Sequence, residues 1–528
     1  MKAFDAIFYN GTVLTISDGH RAEAVAVADG KVAAVGTKSD LLSARSSSTQ
    51  LVDLEGRTLL PGFEDAHAHI WKLGQLLTTS VDLRGVGCIA AIGQQLAARS
   101  TSLPAHAWLQ GRGFNEQSME DRRLPRREDI DHFVSDRPVL LTRTCGHIFI
   151  ANSTALKLAG IDSSTQAPAG GIIERDQHGN PTGILHETAV GLINRVLPPP
   201  TSLDYRAMIQ AALSHQLANG ITASSECGVV PGLLETYLQM DAEGALPARM
   251  NVMPLGKPDG AAPAPSSFKR YSSPMLSVHT VKFLADGGLS GGTAALSTPY
   301  RNSTTCGVTR FDTHELFTLF AEFQNLGWRI CTHAIGDAAI EQVLSLYEQL
   351  PRNAPQGPHR IEHVGLPSHA HLTRLARIGA QVVTQPIFLD ELGGNFGCVP
   401  DVLTDRIYPI RAMLDAGLTV AFSSDAPVVR NDAPLKGIEA AITRRTAEGH
   451  EILPAQAVTV EEALYAYTVG SASAAGAANM RGSIQPGRWA DFAVLSEDPT
   501  NVPLNTIAQI RVEQTYLGGK LVFERSAS

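Results

Sequence analysis

The feature that most constrains the fold is an alternation in the middle of the chain. Short apolar runs recur there, each followed by a longer amphipathic stretch with helical spacing. Eight runs read as strands: 58–67, 137–146, 220–226, 277–285, 328–334, 359–364, 380–386 and 418–425. Stretches such as YRAMIQAALSHQLANG and HAHLTRLARIG lie between them and end in glycine, a helix-stopping residue. Eight strand–helix units in one chain point to an α/β fold, a (β/α)8 TIM barrel.

The two ends of the chain have a different texture. Residues 3–58 alternate with the two-residue period of strands, broken by NG, DG and EG turn pairs, and a similar pattern returns in GSIQPGRWADFAVLS and IRVEQTYLGGKLVFER. The expected organisation is a small β-sandwich built from both termini (1–58 with 478–528) around a barrel (59–477). The barrel carries insertions at about 82–136 and 147–205, which either roof the barrel mouth or decorate it at a distance. Within the second, GGIIERDQHGNPTGILHE reads as a β-hairpin around HGNP, and VLPPPTSLD as a stiff linker.

Composition excludes several functions. The net charge is −9, with Lys and Arg dispersed, so no basic patch suits a nucleic-acid backbone. No apolar run approaches the ~20 residues of a membrane span. The N-terminus reads as two strands around an Asn-Gly turn rather than a signal peptide. The six cysteines lack CxxC spacing and read as reduced thiols of a cytoplasmic protein. The expected partner is a small-molecule substrate, with no nucleic acid and no membrane.

Chemistry gathers at the strand ends. His67 and His69, one residue apart, share a face of a strand, and two imidazoles placed so can chelate a transition metal. The fourth run carries Lys282, the fifth ends in His333, the sixth in His363 and the eighth in Asp425. In a barrel of this type, strand ends are where catalytic groups converge.

The segments PGFEDAHAH, THAIGDAAIEQVL, RIEHVGLP, FSSDAPV and GSIQPGRWADFAVL resemble the amidohydrolase superfamily. GRGFNEQ, RPVLLTRTCGHIFIANSTAL and VKFLADGGLSGGTAAL resemble its YtcJ-like branch, which includes N-substituted formamide deformylase. The resemblance runs from about residue 5 to 524. It implies a divalent metal centre of one or two ions, with zinc the expected ion and iron, manganese or cobalt compatible with the same donors. By motif, His67, His69 and Asp425 hold the first ion, and His333 and His363 the second. Lys282 stands where the superfamily often has a bridging carboxylated lysine; the alternative is a lysine paired with Asp286. Asp425 is also the implied catalytic proton carrier. His147 matches a histidine typical of the branch and either assists at the substrate carbonyl or caps a loop. Where the branch has a His-Asp pair, this chain has Ser225-Glu226, and Glu226 either reaches the mouth or serves structurally. Cys145 is a possible thiolate ligand or a small buried thiol.

Trp71, Phe388 and Phe396 are candidate walls of a substrate pocket, or core residues under loops. The expected reaction is metal-dependent hydrolysis of a non-peptide C–N bond in an N-substituted amide or formamide. The alternatives are an esterase or lactonase, a non-hydrolytic isomerase or lyase, or a scaffold that has lost its metal. Homo-oligomers are common in this fold by analogy.

Overall fold

The computed structural model describes residues 4–17, 21–258, 267–351 and 357–526. The outermost residues of the expected terminal module, 1–3 and 527–528, lie outside this set.

The fold is mixed α/β, and its centre is eight parallel strands: β1 (Phe63–Ala68), β2 (Ile221–Val229), β3 (Arg249–Pro254), β4 (Thr280–Leu284), β5 (Arg329–Ala334), β6 (Arg360–His363), β7 (Gln381–Thr384) and β8 (Val420–Phe422). They fall into two sheets, β1–β3 and β4–β8, hydrogen-bonded to each other at both edges. At one edge, Leu276–Val278 pairs with β3 and runs straight on into β4, and Gly256 N donates to Lys282 O at 2.8 Å. At the other, Asp425 N donates to His67 O and His69 N to Ala426 O, each at 2.8 Å. Nearly every residue of these strands is buried, as expected when helices cover one face of a parallel sheet and side chains fill the other.

The helices start where the sequence supplies caps. Ser202–Ala218 opens on a reciprocal Thr201/Asp204 box, so the SLD of the expected linker is its first turn. His369–Ile378 opens on Ser368 and closes on left-handed Gly379. The helix that follows β1, Ile70–Thr78, crosses Ser202–Ala218 at Gly74, where an added Cβ would stand 1.9 Å from Met208 O. Gly74→Ala is therefore expected to destabilise the fold by about 1–3 kcal/mol, read as a fall of several degrees in thermal midpoint. An unchanged midpoint would show that the two helices have room to spare.

Membership of the eight strands differs from expectation in one place. The run at 137–146 does not join them. Its strand, Val139–Arg143, lies inside a separate six-stranded sheet with Val81–Asp82, Leu109–Phe114, Ile148–Ala151, Pro181–Glu187 and Gly171–Arg175. Ile221–Val229 pairs directly with β1 in its stead, and the eighth strand is β3, within ARMNVMPLG. An apolar run bounded by turns reads the same in either sheet, because periodicity reports burial and not the pairing partner. Consequently the two expected excursions form one sheet, in which Gly171–Arg175 and Pro181–Glu187 make the hairpin around HGNP.

The run at 58–67 is also divided. Thr58–Pro61 pairs antiparallel with Phe492–Leu495, and the chain then crosses Gly62 into β1. No side chain fits at Gly62, since a Cβ would lie 2.1 Å from Thr222 Oγ1. Strands from both ends of the chain thus share one sheet, and a second sheet holds Ala6–Tyr9, Ala24–Ala28, Lys31–Gly36 and Gln50–Asp53. Phe8 of the second sheet meets Phe492 and Tyr516 of the first edge-on, with ring centroids 5.3 and 4.8 Å apart. The strands flanking Asn10-Gly11 belong to different sheets, so that pair is a crossing point and not a hairpin turn. Among the described residues, no helix is long and apolar enough to cross a membrane.

Candidate metal centre

His67 sits near the end of β1, and His69 is the residue from which the helix Ile70–Thr78 springs. Each ring has one nitrogen committed. His67 Nδ1 donates to Glu362 Oε2 at 2.5 Å, and His69 Nδ1 donates to the carbonyl of Cys227 at 2.9 Å. With the proton on Nδ1, each neutral ring presents a bare Nε2 lone pair. Both point at the same oxygen, Asp425 Oδ1, at 3.5 and 3.3 Å. That oxygen is buried and has no hydrogen-bond partner.

Electrostatics keep these groups in ligand form. Burial, with Lys282 second, lowers the His67 pKa, and burial, with Lys72 second, takes His69 down to about 3. Burial also works to protonate Asp425, and a proton on His69 or the neighbouring rings works against it and lowers the carboxyl below the usual carboxylate range; with the rings neutral, a bound cation would supply that positive charge. Two lone pairs and a carboxylate therefore face one point. The donor atoms of His67, His69 and Asp425 lie within 4.8 Å of one another, and the set suits a divalent transition ion.

The remaining histidines extend this cluster. The His363 ring is 4.9 Å from that of His67 and 4.4 Å from that of His333, centroid to centroid. His363 Nδ1 donates to Gln385 Oε1 at 2.7 Å, and Gln385 is itself oriented by donating to Ser423 Oγ. His333 Nε2 faces Gly287 O at 3.1 Å and Asp286 Oδ1 at 3.2 Å, leaving Nδ1 as its other available nitrogen. Burial, reinforced by Lys282 at His333 and by His333 at His363, lowers both pKa values well below the imidazole range. His363 and Asp425 have φ of +72° and +60°, a left-handed backbone that non-glycine residues rarely adopt. Alternation along β6 would send Glu362 and His363 to opposite faces; the turn at His363 lets both serve the cluster.

Lys282 is 2 % exposed and its Nζ has no hydrogen-bond partner. The alternative that pairs it with Asp286 does not hold. Asp286 accepts from the backbone N–H groups of Ala295, Ile335 and Gly336 and faces His333.

His147 arrives from the inserted sheet. Its ring lies 5.8 Å from that of His333, and its Nδ1 is 2.9 Å from Glu187 Oε2. Burial disfavours the imidazolium, but Glu187 prevails and raises the His147 pKa, while Glu187 itself falls to about 2. Cys145 lies beside it, its Sγ accepting from His147 N at 3.5 Å, and is not in either group of side chains placed to hold an ion.

The candidate substrate contacts fare differently. Glu226 is 0 % exposed and faces away from the cluster, because it pairs in register with Ala68, whose side chain points into the helix layer. Its Oε2 accepts from Trp71 N at 3.0 Å and Tyr237 Oη at 2.8 Å. A substrate-binding role for Glu226 is thereby corrected to one of anchoring the helix after His69. Trp71 likewise packs in the helix layer, edge-on to Tyr205 at 5.7 Å, and not over the histidines. Phe388 does stand by the cluster, stacked on His363 at 6.3 Å. Phe396 is one layer back, against Tyr408.

Burial raises the Glu226 pKa to about 8, so it is a neutral acid at pH 7. A carboxyl whose folded pKa exceeds its unfolded one favours the fold below the unfolded value, near 4.3, and loses that contribution as pH rises through about 8. Glu226→Gln is expected to flatten the decline in stability across that window, measured by unfolding at pH 5 and pH 9. A parallel decline in both proteins would refute the assignment.

Sequence reasoning missed Glu362 and Gln385, and considered Asp286 only as a partner for Lys282. Glu362 is bound in bidentate fashion by Arg360, at 2.8 and 2.9 Å, and together they set the His67 ring. The Arg-x-Glu spacing in RIEH, which puts both side chains on one strand face, was the available signal. Cys227, His67 and Glu362 form a second buried group, but its Glu362 is already engaged.

Comparison with known proteins agrees with this geometry. A family model described as "Amidohydrolase family" matches residues 50–523. The chain is 32% identical to the putative amidohydrolase YtcJ of Bacillus subtilis, covering 99% of this chain and 100% of that protein. It is 28% identical to N-substituted formamide deformylase of Arthrobacter pascens, covering 99% of each. Among solved structures it is similar to an uncharacterized metal-dependent hydrolase from Pyrococcus horikoshii OT3, with a TM-score of 0.76, 25% identity and coverage of 94% and 99%. Atrazine chlorohydrolase from Arthrobacter aurescens TC1 complexed with zinc shares the fold, with a TM-score of 0.54, 16% identity and coverage of 98% and 95%. The buried imidazole–carboxylate cluster and a family match spanning nearly the whole chain lead to one conclusion: this chain belongs to the amidohydrolase family.

Proposed function

We propose that this protein is a metal-dependent hydrolase of a non-peptide C–N bond, of the N-substituted amide or formamide type. Its eight parallel strands are read as a (β/α)8 barrel and the sheets of both termini as an accessory β-sandwich. The observation that carries the reading is the convergence of His67 Nε2, His69 Nε2 and the orphaned Asp425 Oδ1, with the opposite ring nitrogens locked by Glu362 and Cys227 O.

A divalent ion held there, with zinc the expected one, supplies Lewis acidity and makes water acidic enough to act as a nucleophile near neutral pH. His333 and His363 are placed to hold a second ion, and the unpartnered Lys282 amine lies in the same buried region, where a carbamate could join the two. Asp425, ionised and aimed into the centre, orients the attacking water and takes its proton. It then returns that proton to the departing nitrogen, which leaves poorly as an anion. His147, whose pKa Glu187 raises, donates to the carbonyl oxygen as negative charge develops there. Phe388 offers an apolar wall beside His363 to the substituent.

Chelation is expected to abolish turnover of a formamide and amide panel by at least about 100-fold, with zinc, manganese or cobalt restoring it. In heavy-oxygen water, one solvent oxygen should enter the acid product and a free amine should appear. Absence of metal-dependent turnover of any C–N substrate would overturn the reading.

A further inference from the structure

Among the described residues, the buried arginines other than Arg112 each have hydrogen-bond partners, including Arg137, whose Nη groups donate to Pro104 O and Asp136 although its Nε has no acceptor. Arg143 grips Glu116, Arg249 grips Asp491, Arg360 grips Glu362, and Arg444 donates to three backbone carbonyls. Arg112 is also buried, at 8 % exposure. Among the described residues it makes no side-chain hydrogen bond and no ion pair, and its Nε is a buried donor without an acceptor. A guanidinium withdrawn from water without a partner is an unstable arrangement unless something else meets it.

Its position says where that something is. Arg112 lies on the inserted strand Leu109–Phe114, paired with Thr142. Gln110, two residues earlier and so on the same face, meets Gln75 of the helix that follows His69. The guanidinium ends beside the turn that carries His147: a Cβ on Gly146 would lie 3.3 Å from Arg112 Nη2. Glycine at 146, with φ +77°, leaves the tip uncovered. The charge persists at neutral pH, since burial lowers the Arg112 pKa only to about 10. Asp82, opposite Arg112 in the sheet, is held by Arg84, and Asp425, whose charge reaches Arg112, faces the two imidazoles.

We propose that Arg112 docks a carboxylate carried by the substrate, so that the compounds hydrolysed are N-substituted amides bearing an acid group near the scissile bond. This rests on the amide-hydrolase reading above and narrows it. A planar guanidinium matches a planar carboxylate through two parallel hydrogen bonds, and a single positive charge balances a single negative one. The apolar side of the same substrate faces Phe388.

The test compares metal-loaded parent, Arg112→Gln and Arg112→Lys on two substrates that differ by one group, N-formylphenylalanine and N-formyl-2-phenylethylamine. The readout is the ratio of kcat/KM for the acid over the neutral compound. The parent ratio is expected to be about tenfold or more, to fall by about tenfold in Arg112→Gln through KM, and to be intermediate in Arg112→Lys, which keeps charge but loses the fork. A parent preference for the neutral compound, or an equal ratio in parent and variants, overturns the proposal. Should the glutamine variant fail to fold, the lysine variant alone carries the comparison. If the parent cleaves neither compound, the hydrolase reading is what has failed for these substrates. Calorimetric titration of phenylacetate against phenylacetamide then decides on Arg112: weaker phenylacetate binding in the variant by about tenfold supports it, and equal binding overturns it.

Discussion

Asp425→Asn is expected to lower kcat by about 10³–10⁴-fold while leaving the fold intact. Asparagine has nearly the same shape, and the backbone bonds that seat this residue, Asp425 N to His67 O and Val428 N to Asp425 O, do not involve its side chain. Two contributions disappear at once. The negative charge facing two neutral imidazoles is gone, so metal affinity drops, and no base of suitable strength remains to accept and return a proton. Metal content by elemental analysis and kcat at saturating added metal separate the two. If kcat stays within tenfold of the parent under metal saturation, Asp425 is a ligand at most and the proton route assigned to it is wrong.

The largest expected effect on stability is at the pair beneath His67. Arg360 and Glu362 are fully buried and joined by two hydrogen bonds, with Arg360 also donating to Ala66 O and Ala474 O. Arg360→Met removes the cation and leaves the carboxylate in the interior, which is expected to cost about 3–5 kcal/mol in unfolding free energy. The pH dependence follows. Burial pushes the Glu362 pKa up, but Arg360 first and His67 next bring it well below the ordinary carboxylate value. A depressed folded pKa contributes stability that is present above the unfolded value, near 4.3, and is lost only as pH falls toward the folded one. In the variant His67 is left to oppose burial without Arg360, so acid unfolding should begin at higher pH. The double variant Arg360→Met with Glu362→Gln should recover part of the loss, because no charge is then stranded. Chemical denaturation of the chelated proteins from pH 4 to pH 8 checks this. Equal stability of Arg360→Met and parent, within about 1 kcal/mol, would mean that the pair is dispensable.

Some of this arrangement could be read in one dimension. A period-two pair such as His67 and His69 needs only strand geometry to place both rings together, and β1 supplies it up to the helix start at Ile70. His333 and His363 close adjacent parallel strands, so their neighbourhood follows once the order of strands is known. Glu362 was passed over because its neighbour His363 obeys alternation only until φ turns positive, and no local signal announces that turn. Glu226 stayed open between the mouth and a structural role because its register with Ala68, which sends it to the helix layer, is a property of two distant segments.

Residue order alone determined the strand–helix alternation, the strand-rich character of both ends, and the candidate groups able to bind a cation. Those are local matters, governed by side-chain periodicity, caps and the chemistry of imidazole and carboxylate. Only the tertiary structure decided that 249–254 and not 137–146 enters the central set of strands, that the inserted residues form one sheet, and that Arg112 stands without a partner beside His147. Pairing register and long-range burial are energies of whole surfaces meeting, and the same short apolar run satisfies more than one of them until the chain has folded.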